Sequence, residues 1–110
     1  SVVGESLEAP VVLKVSMNGY STSLGERIVL VGDCPELGQW DLASSVPLEY
    51  INGDCWFAEI GFNQSIGKKI HYKAVILRDG GDPAYENILH RDYLLPLSGR
   101  HKLNLNWNHL

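Results

Sequence analysis

The sequence is poor in the residues that mark several functional classes of protein. It contains two cysteines, Cys34 and Cys55, among 110 residues. Two cysteines form at most one internal disulfide, and the sequence leaves open whether these two pair. The four histidines are His71, His90, His101 and His109. Because their spacing fits no zinc motif, we predict neither a metal site nor another cofactor.

Basic residues and long apolar runs are also scarce. The chain has 9 Lys and Arg against 13 Asp and Glu, which gives a formal net charge of -4. This sign argues against nucleic acid and against an anionic membrane surface as partners. The longest apolar runs, such as 28–31 and 74–77, are far shorter than the roughly 20 residues that span a bilayer.

The start of the chain and its length bound its organisation. No basic segment followed by an apolar one opens the sequence, which favours an intracellular location, cytoplasm or plastid, without deciding the compartment. Ser1 in place of Met indicates a cut or processed start. We predict a flexible leader over residues 1–10 and one domain over 11–110, which we expect to be monomeric.

Hydrophobic alternation with a period of two predicts an all-β fold. Residues 11–17, 55–62 and 101–107 alternate in this way, and 69–77 does so with His71, Lys73 and Val75 facing away from the core. Gly, Pro, Asn and Asp residues fill the segments between. The pattern predicts an immunoglobulin-like antiparallel β-sandwich, or an open-sided distorted barrel, of seven or eight strands.

Motifs of catalysis are missing from the sequence. There is no GxSxG, HExxH or Walker motif and no Cys-His signature. We therefore predict that the chain is not an enzyme.

A set of short motifs does occur in a fixed order. It comprises Gly25-Glu26, Val29-Leu30-Val31-Gly32, Leu37-Gly38-Gln39-Trp40, Trp56, Tyr72-Lys73, Tyr85-Glu86 and His90-Arg91. In this order and spacing the chain, over about residues 11–107, resembles carbohydrate-binding module family 20, the starch-binding domains. The resemblance implies an open-sided β-sandwich that binds α-1,4-linked glucose chains without cleaving them.

The resemblance also implies a principal glucan site. Its two stacking positions fall on Trp40 and Tyr85, and its hydrogen-bonding lysine and glutamate fall on Lys73 and Glu86. The family's asparagine falls on His90. Tyr85 replaces an indole, so it offers a smaller stacking face, and His90 brings a proton state that depends on pH.

The residue types support such a site independently of the resemblance. A glucose ring has apolar CH faces and hydroxyl edges, so it suits an exposed aromatic plane flanked by long polar side chains. Two alternatives remain open: Trp40 as a core indole that closes the end of the sandwich, and Tyr85 as a cross-strand packing residue. Exposure of both side chains on the face that carries Lys73 would favour the glucan site.

A second glucan site is the other implication. Family members use a tyrosine just before the Gly-Glu pair, and here that position is Leu24, which has no hydroxyl. Tyr50 corresponds to the other aromatic residue of that site, and Tyr20 is a substitute from the nearby loop.

These observations predict non-catalytic binding of α-1,4-glucans such as starch, glycogen and maltooligosaccharides. In this interpretation the module targets an attached starch- or glycogen-active enzyme to its substrate. The alternative is an immunoglobulin-like protein–protein interaction domain without glycan binding. The sequence does not identify the parent enzyme.

Overall fold

The computed structural model describes residues 9–110, which form two packed β-sheets. The first eight residues of the predicted leader lie outside the described residues. The strands are β1 Val11–Asn18, β2 Glu26–Gly32, β3 Val46–Pro47, β4 Glu49–Asn52, β5 Cys55–Phe62, β6 Lys69–Arg78, β7 Ala84–Tyr85, β8 Arg91–Leu94 and β9 Gly99–Asn106. The predicted β-sandwich is therefore confirmed. No helix within residues 9–110 has the length and apolarity needed to cross a membrane.

The first sheet has the order β4-β5-β1-β9. β1 pairs antiparallel with β5 but parallel with β9, with Val11 opposite Gly99. The parallel pair departs from the purely antiparallel arrangement that we expected. It arises because β9 follows β8, a strand of the other sheet, so that no hairpin turn fixes its direction relative to β1.

The second sheet has β6 at its centre. β2 runs along one side of β6 and carries β3 on its own outer edge. On the other side, β8 pairs with residues 69–72 of β6, and β7 pairs with Val75 and Ile76. The segment between β7 and β8 consequently runs along the sheet edge beside the middle of β6.

The described residues contain nine strands, more than the seven or eight predicted, because residues 46–52 hold two short strands. β3 belongs to the second sheet and β4 to the first, and the chain crosses between them at Leu48. Leu48 is buried, and its N–H donates to the carbonyl of Ile28 at 2.9 Å. Leu48 thus anchors the crossover to β2 by a hydrogen bond and to the core by its buried side chain.

The core lies between the sheets and follows the predicted alternation. The inward residues of β5 are Trp56, Ala58, Ile60 and Phe62, and all four are buried. Each large apolar side chain buried in this way contributes about 1.5–3 kcal/mol.

The two cysteines do not pair. Cys34 and Cys55 are both free thiols, so the disulfide that the sequence left open is not formed.

Candidate functional site

The outer face of the second sheet carries most of the predicted site residues. Lys73 lies on this face opposite Val31, and Val75 lies beside it opposite Val29. The three valines form a small buried cluster, and Leu42 packs against it from the segment that follows β2. The loop over residues 33–45 therefore covers part of the face and is held there by apolar contact.

Trp40 sits in this loop in a backbone conformation that is unusual for its type. Gln39 has φ 51° and Trp40 has φ 65°, both in the left-handed region. The N–H of Trp40 donates to the carbonyl of Gly32 at 2.8 Å, and that of Gln39 donates to Cys34 at 3.1 Å. Left-handed non-glycine residues cost about 1–3 kcal/mol each and persist where the surroundings hold them. The Trp40 side chain is 45% exposed, so the loop presents the indole at the surface.

Two glycines, Gly32 and Gly38, allow the tight shape of the Trp40 loop. A Cβ at Gly38, whose φ is 83°, would stand 2.6 Å from the Ser44 carbonyl oxygen. A Cβ at Gly32 would stand 2.7 Å from the His71 carbonyl oxygen and 2.9 Å from a methyl of Leu37. Neither position has room for a side chain, so only glycine lets the loop fold back tightly on β2 and β6.

Glu36 ties the same loop to the turn after β5. Its carboxylate accepts from the N–H groups of Asn63, Gln64 and Ser65 at 2.9, 2.8 and 3.2 Å, and from the Ser65 hydroxyl at 2.7 Å. Partial burial raises the pKa of Glu36, but these hydrogen bonds outweigh it and lower the pKa to about 2. The neighbouring Leu37 is buried in the core.

Tyr85 lies on the face that carries Lys73. It pairs with Val75 across β6 and β7, so its side chain emerges on the Val75 side of the sheet. Tyr85 is 48% exposed, and Lys73 is half-buried between β2 and the segment that joins β7 to β8. Within residues 9–110 the Lys73 ammonium has no hydrogen bond or ion pair. The exposure of Trp40 does not fit the alternative of a core indole, whereas Tyr85 combines an exposed ring with a cross-strand position opposite Val75.

Glu86, on which the resemblance places a sugar-binding carboxylate, is not on this exposed face, and the structure corrects that expectation. Its side chain is fully buried in an ion pair with Arg91. The oxygens also accept from Ala74 N–H and Asn108 N–H, each at 2.9 Å. Adjacent residues of a strand face opposite ways, so an exposed Tyr85 places Glu86 inside. The Glu86 carboxylate therefore holds the segment between β7 and β8 in place.

His90 lies at the other end of that segment, half-buried just before β8. Its ring meets the ring of His71 edge to face, with centroids 4.8 Å apart. His71 precedes Lys73 by two residues on the same face of β6, so His90 borders the face at its β8 side. The structure thus places Lys73 and Tyr85 on the outer face of the second sheet, His90 at its β8 side, and Trp40 in the loop that covers part of this face.

Sequence reasoning missed two acidic neighbours of this site, Asp33 and Asp92. Asp33 accepts from the His71 ring at 2.8 Å and from its backbone N–H at 3.0 Å. Partial burial raises the pKa of Asp33, but these bonds from His71 outweigh it and lower the pKa below its ordinary value. Asp92 pairs with His71 across β6 and β8. The alternation of 69–77 already places His71 on the face of Lys73. The acidic partners of His71 come from other segments, so this alternation does not reveal them.

A separate groove contains the predicted second-site residue Tyr50. Its lining consists of Thr22, Ser23, Leu24, Gly25, Glu26, Tyr50 and Trp56. Tyr50 is 55% exposed and meets the Trp56 ring edge to face at 5.6 Å. Tyr20 is not in this lining: its hydroxyl donates to Glu26 at 3.2 Å, and its ring packs on Trp107 at 5.3 Å.

Comparison with known proteins agrees with the sequence resemblance. The family model of the starch binding domain matches residues 8–104. Glucoamylase-1 of Arthroderma benhamiae is 34% identical over 80 residues, which are 69% of this chain and 13% of that protein. A cyclomaltodextrin glucanotransferase of a Bacillus species is 26% identical over 101 residues, 88% of this chain and 14% of that protein. The chain spans only a small part of the length of either relative.

Solved structures share the fold. The family 15 glucoamylase of Hypocrea jecorina superimposes with a TM-score of 0.80 at 19% identity, over 90% of this chain and 17% of that one. The family 20 module of the maltotetraose-forming amylase of Pseudomonas saccharophila gives 0.66 at 16% identity, over 86% of this chain and 99% of that one. Because the family model covers nearly all of the chain, the protein belongs to the starch-binding domains, carbohydrate-binding module family 20.

Proposed function

We propose that the chain binds α-1,4-glucans such as starch, glycogen and maltooligosaccharides on the outer face of the second sheet. The observation that carries the proposal is the pair of exposed aromatic residues, Trp40 and Tyr85, together with Lys73, which has no partner within residues 9–110. Trp40 follows β2 and Tyr85 ends β7, with β6 between them.

Each aromatic residue offers a flat apolar surface to the CH face of a glucose ring. Trp40 suits this role because its loop is fixed by the hydrogen bond to Gly32 and by the packing of Leu42. A fixed indole loses little conformational entropy when a sugar stacks on it, so most of the contact energy remains available for binding.

The polar edge of the sugar would meet Lys73 and His90. The Lys73 ammonium carries three donors and has no partner in the described part of the chain, so it can donate to sugar hydroxyls without breaking another bond. His90 offers a ring nitrogen beside it. Glu86 is left out of the contacting set, since its oxygens are already bonded; it holds the segment that carries Tyr85 and His90.

Binding at this face should be weak at a single site. An open surface leaves one side of the sugar in water, and each hydrogen bond gains only about 0.5–1.5 kcal/mol net. A few such bonds and two stacking contacts correspond to dissociation constants of about 1 mM to 1 μM. Tight attachment to a granule would then require several contacts along the polymer.

A finer part of the proposal concerns the biological role. We infer that the module is monomeric and brings an attached starch- or glycogen-active enzyme to its polymeric substrate. Support comes from the relatives, of which a module of this kind is a small part: a glucoamylase and a cyclomaltodextrin glucanotransferase.

The test is a pull-down on insoluble starch combined with calorimetric titration of maltoheptaose. The parent should bind both and should not bind cellulose. Trp40→Ala should lower maltoheptaose affinity about tenfold or more, since it removes the larger stacking surface. Leu97→Ala, which truncates an exposed apolar side chain of another loop, is the matched control and should leave affinity unchanged.

The outcomes separate the function from the site. A folded parent that binds neither starch nor maltoheptaose would contradict glucan binding itself. A parent that binds while folded Trp40→Ala binds equally well would contradict the assignment of the site to this face.

The groove at Tyr50 is proposed as a second, weaker glucan site. Tyr50 supplies an exposed ring, and the side chains of Leu24 and Trp56 line the groove beside it. Tyr20 is left out because its hydroxyl and ring are already engaged. Tyr50→Ala should reduce the maltoheptaose stoichiometry from two to one while leaving the tighter site intact.

A further inference from the structure

Three potential metal ligands converge beside the second sheet. They are His71 on β6, Asp92 opposite it on β8, and His90 just before β8. One ligand atom from each lies within 4.8 Å of the others. Asp92 Oδ1 is 2.9 Å from His90 Nδ1 and 3.6 Å from His71 Nε2.

Asp33 fixes the orientation of His71 from behind. Its Oδ2 lies 2.8 Å from His71 Nδ1, and its Oδ1 accepts from the His71 backbone N–H at 3.0 Å. The Asp33 N–H also donates to the His71 carbonyl at 2.9 Å. A neutral His71 therefore carries its proton on Nδ1, and the lone pair of Nε2 points away from Asp33, towards Asp92. A carboxylate behind a histidine is the usual companion of a metal-binding imidazole.

His90 supplies a nitrogen atom that the protein does not otherwise use. Nδ1 is buried and has no hydrogen-bond partner among the described residues, although Asp92 Oδ1 is near it. The contact lacks the direction of a hydrogen bond. An enclosed nitrogen with an unused position, facing a carboxylate and a second imidazole, has the environment of a ligand atom.

Two of the three ligand separations, those that involve Asp92 Oδ1, fit a metal ion with small adjustments, and the two imidazole nitrogens, which lie within 4.8 Å, would draw closer on binding. Tetrahedral coordination with bonds of about 2.0–2.2 Å places ligand atoms roughly 3.3–3.5 Å from each other. The observed 2.9 and 3.6 Å lie on either side of that range. The Lys69 ammonium lies 3.8 Å from the other oxygen of Asp92, Oδ2.

We propose that His71 Nε2, His90 Nδ1 and Asp92 Oδ1 bind one divalent transition-metal ion of the Zn²⁺ type, with Asp33 as a positioning residue. Two imidazoles and a carboxylate suit such ions, whereas Ca²⁺ and Mg²⁺ prefer oxygen ligands. The remaining coordination position opens to solvent. This site departs from the metal-free expectation of the sequence, and it does not rest on glucan binding.

Calorimetric titration of Zn²⁺ into the tag-free protein, in a buffer that does not coordinate zinc, tests the proposal. We expect one ion per chain. His71→Gln, His90→Gln and Asp92→Asn should each lower the affinity about 100-fold or more, and Asp33→Asn should lower it about 10- to 100-fold. His101→Gln and His109→Gln are matched controls outside the cluster and should bind like the parent.

Histidine ring nitrogens observed by NMR give a readout on the unmutated protein. Addition of Zn²⁺ should move the signals of His71 Nε2 and His90 Nδ1 and leave His101 and His109 in place. Without metal, His71 should be protonated on Nδ1, and Asp33→Asn should shift this tautomer balance while the fold is retained. If Asp33 did no more than support the fold, Asp33→Asn would leave the tautomer balance of His71 unchanged.

The proposal is overturned if Zn²⁺ up to about 1 mM produces no saturable binding. It is equally overturned if folded His71→Gln binds as tightly as the parent, or if the ring signals that respond belong to His101 or His109. Because NMR locates the ion in the parent chain, a variant that fails to fold does not remove the test.

Discussion

Gly38 lies directly against the carbonyl oxygen of Ser44, with 2.6 Å between that oxygen and the position that a Cβ would occupy. The contact brings the start of the Trp40 loop against its end. It also makes the shape of the loop depend on a residue that touches no ligand in the proposed site.

Gly38→Ala should therefore disturb both stability and binding. The left-handed backbone alone costs about 1–2 kcal/mol for alanine. The clash with Ser44 adds to it, so we expect a loss of roughly 3 kcal/mol in the free energy of unfolding. Urea denaturation measures this loss, and calorimetry should show weaker maltoheptaose binding as Trp40 shifts.

Gly53→Ala is the matched control for this change. Gly53 also has a positive φ, 47°, but a Cβ there meets nothing within 4 Å. Gly53→Ala should lower the free energy of unfolding only by the cost of the left-handed backbone, about 1 kcal/mol, and should keep full affinity for maltoheptaose. Equal losses in the two variants would show that the contact with Ser44 is unimportant.

Glu86→Gln should be among the more destabilising single changes in the protein. It leaves the Arg91 guanidinium buried without its counter-charge, a situation that costs about 3–5 kcal/mol. The readout is the free energy of unfolding from urea denaturation. Asp79→Asn, which alters the exposed Arg27–Asp79 pair at 3.4 Å, should cost less than about 1 kcal/mol. A Glu86→Gln variant as stable as Asp79→Asn would contradict the conclusion that Glu86 holds the segment between β7 and β8 in place.

Stability should also depend on pH through Glu36. Its pKa in the folded protein is about 2, below the ordinary value of 4.5, so the stabilisation is complete above pH 4.5 and disappears as the pH falls towards 2. After allowance for solvent screening, this contribution is on the order of 1–2 kcal/mol.

The measurement compares unfolding of the parent and Glu36→Gln from pH 7 to pH 2. Other carboxylates titrate in both proteins, so the difference between the two curves isolates Glu36. We expect the parent to be the more stable at neutral pH and the difference to shrink below pH 4.5. A difference that stays constant down to pH 2 would refute this account.

Tyr85→Trp tests whether the smaller ring limits affinity. An indole offers more stacking area than a phenol, and the position is nearly half exposed, so a larger ring has space. We expect maltoheptaose to bind about threefold more tightly, a gain of less than 1 kcal/mol. Leu97→Trp adds an indole elsewhere on the surface and should have no effect. An unchanged or lower affinity in Tyr85→Trp alone would argue against stacking at residue 85.

The parts of the fold that follow alternation were predictable from the sequence. β5 and β6 each show one apolar face, and the outward position of Lys73 follows from this pattern alone. The parallel pairing of β1 with β9 was not predictable in this way. It depends on which strands meet across the whole chain, and alternation within one strand carries no information about its neighbours.

The candidate site was predictable only in part, for a similar reason. Trp40 and Tyr85 could be named from motifs, but Glu86 was expected beside Tyr85 at the surface although neighbouring strand residues face opposite ways. The cluster of His71, His90 and Asp92 joins separate segments through the β6–β8 pairing. Histidines at such spacing match no linear metal motif, so only the register of the strands makes the cluster visible.

The parallel pairing of β1 with β9 has a consequence for how the protein is made. Val11 in the first strand needs Gly99 in the last as its neighbour, so one long side of β1 has no partner while a ribosome is still adding the residues between them. Contacts between such distant segments form slowly, and an unpaired strand edge invites association with other chains. Completion of the sandwich must therefore wait until nearly all of this chain has left the ribosome.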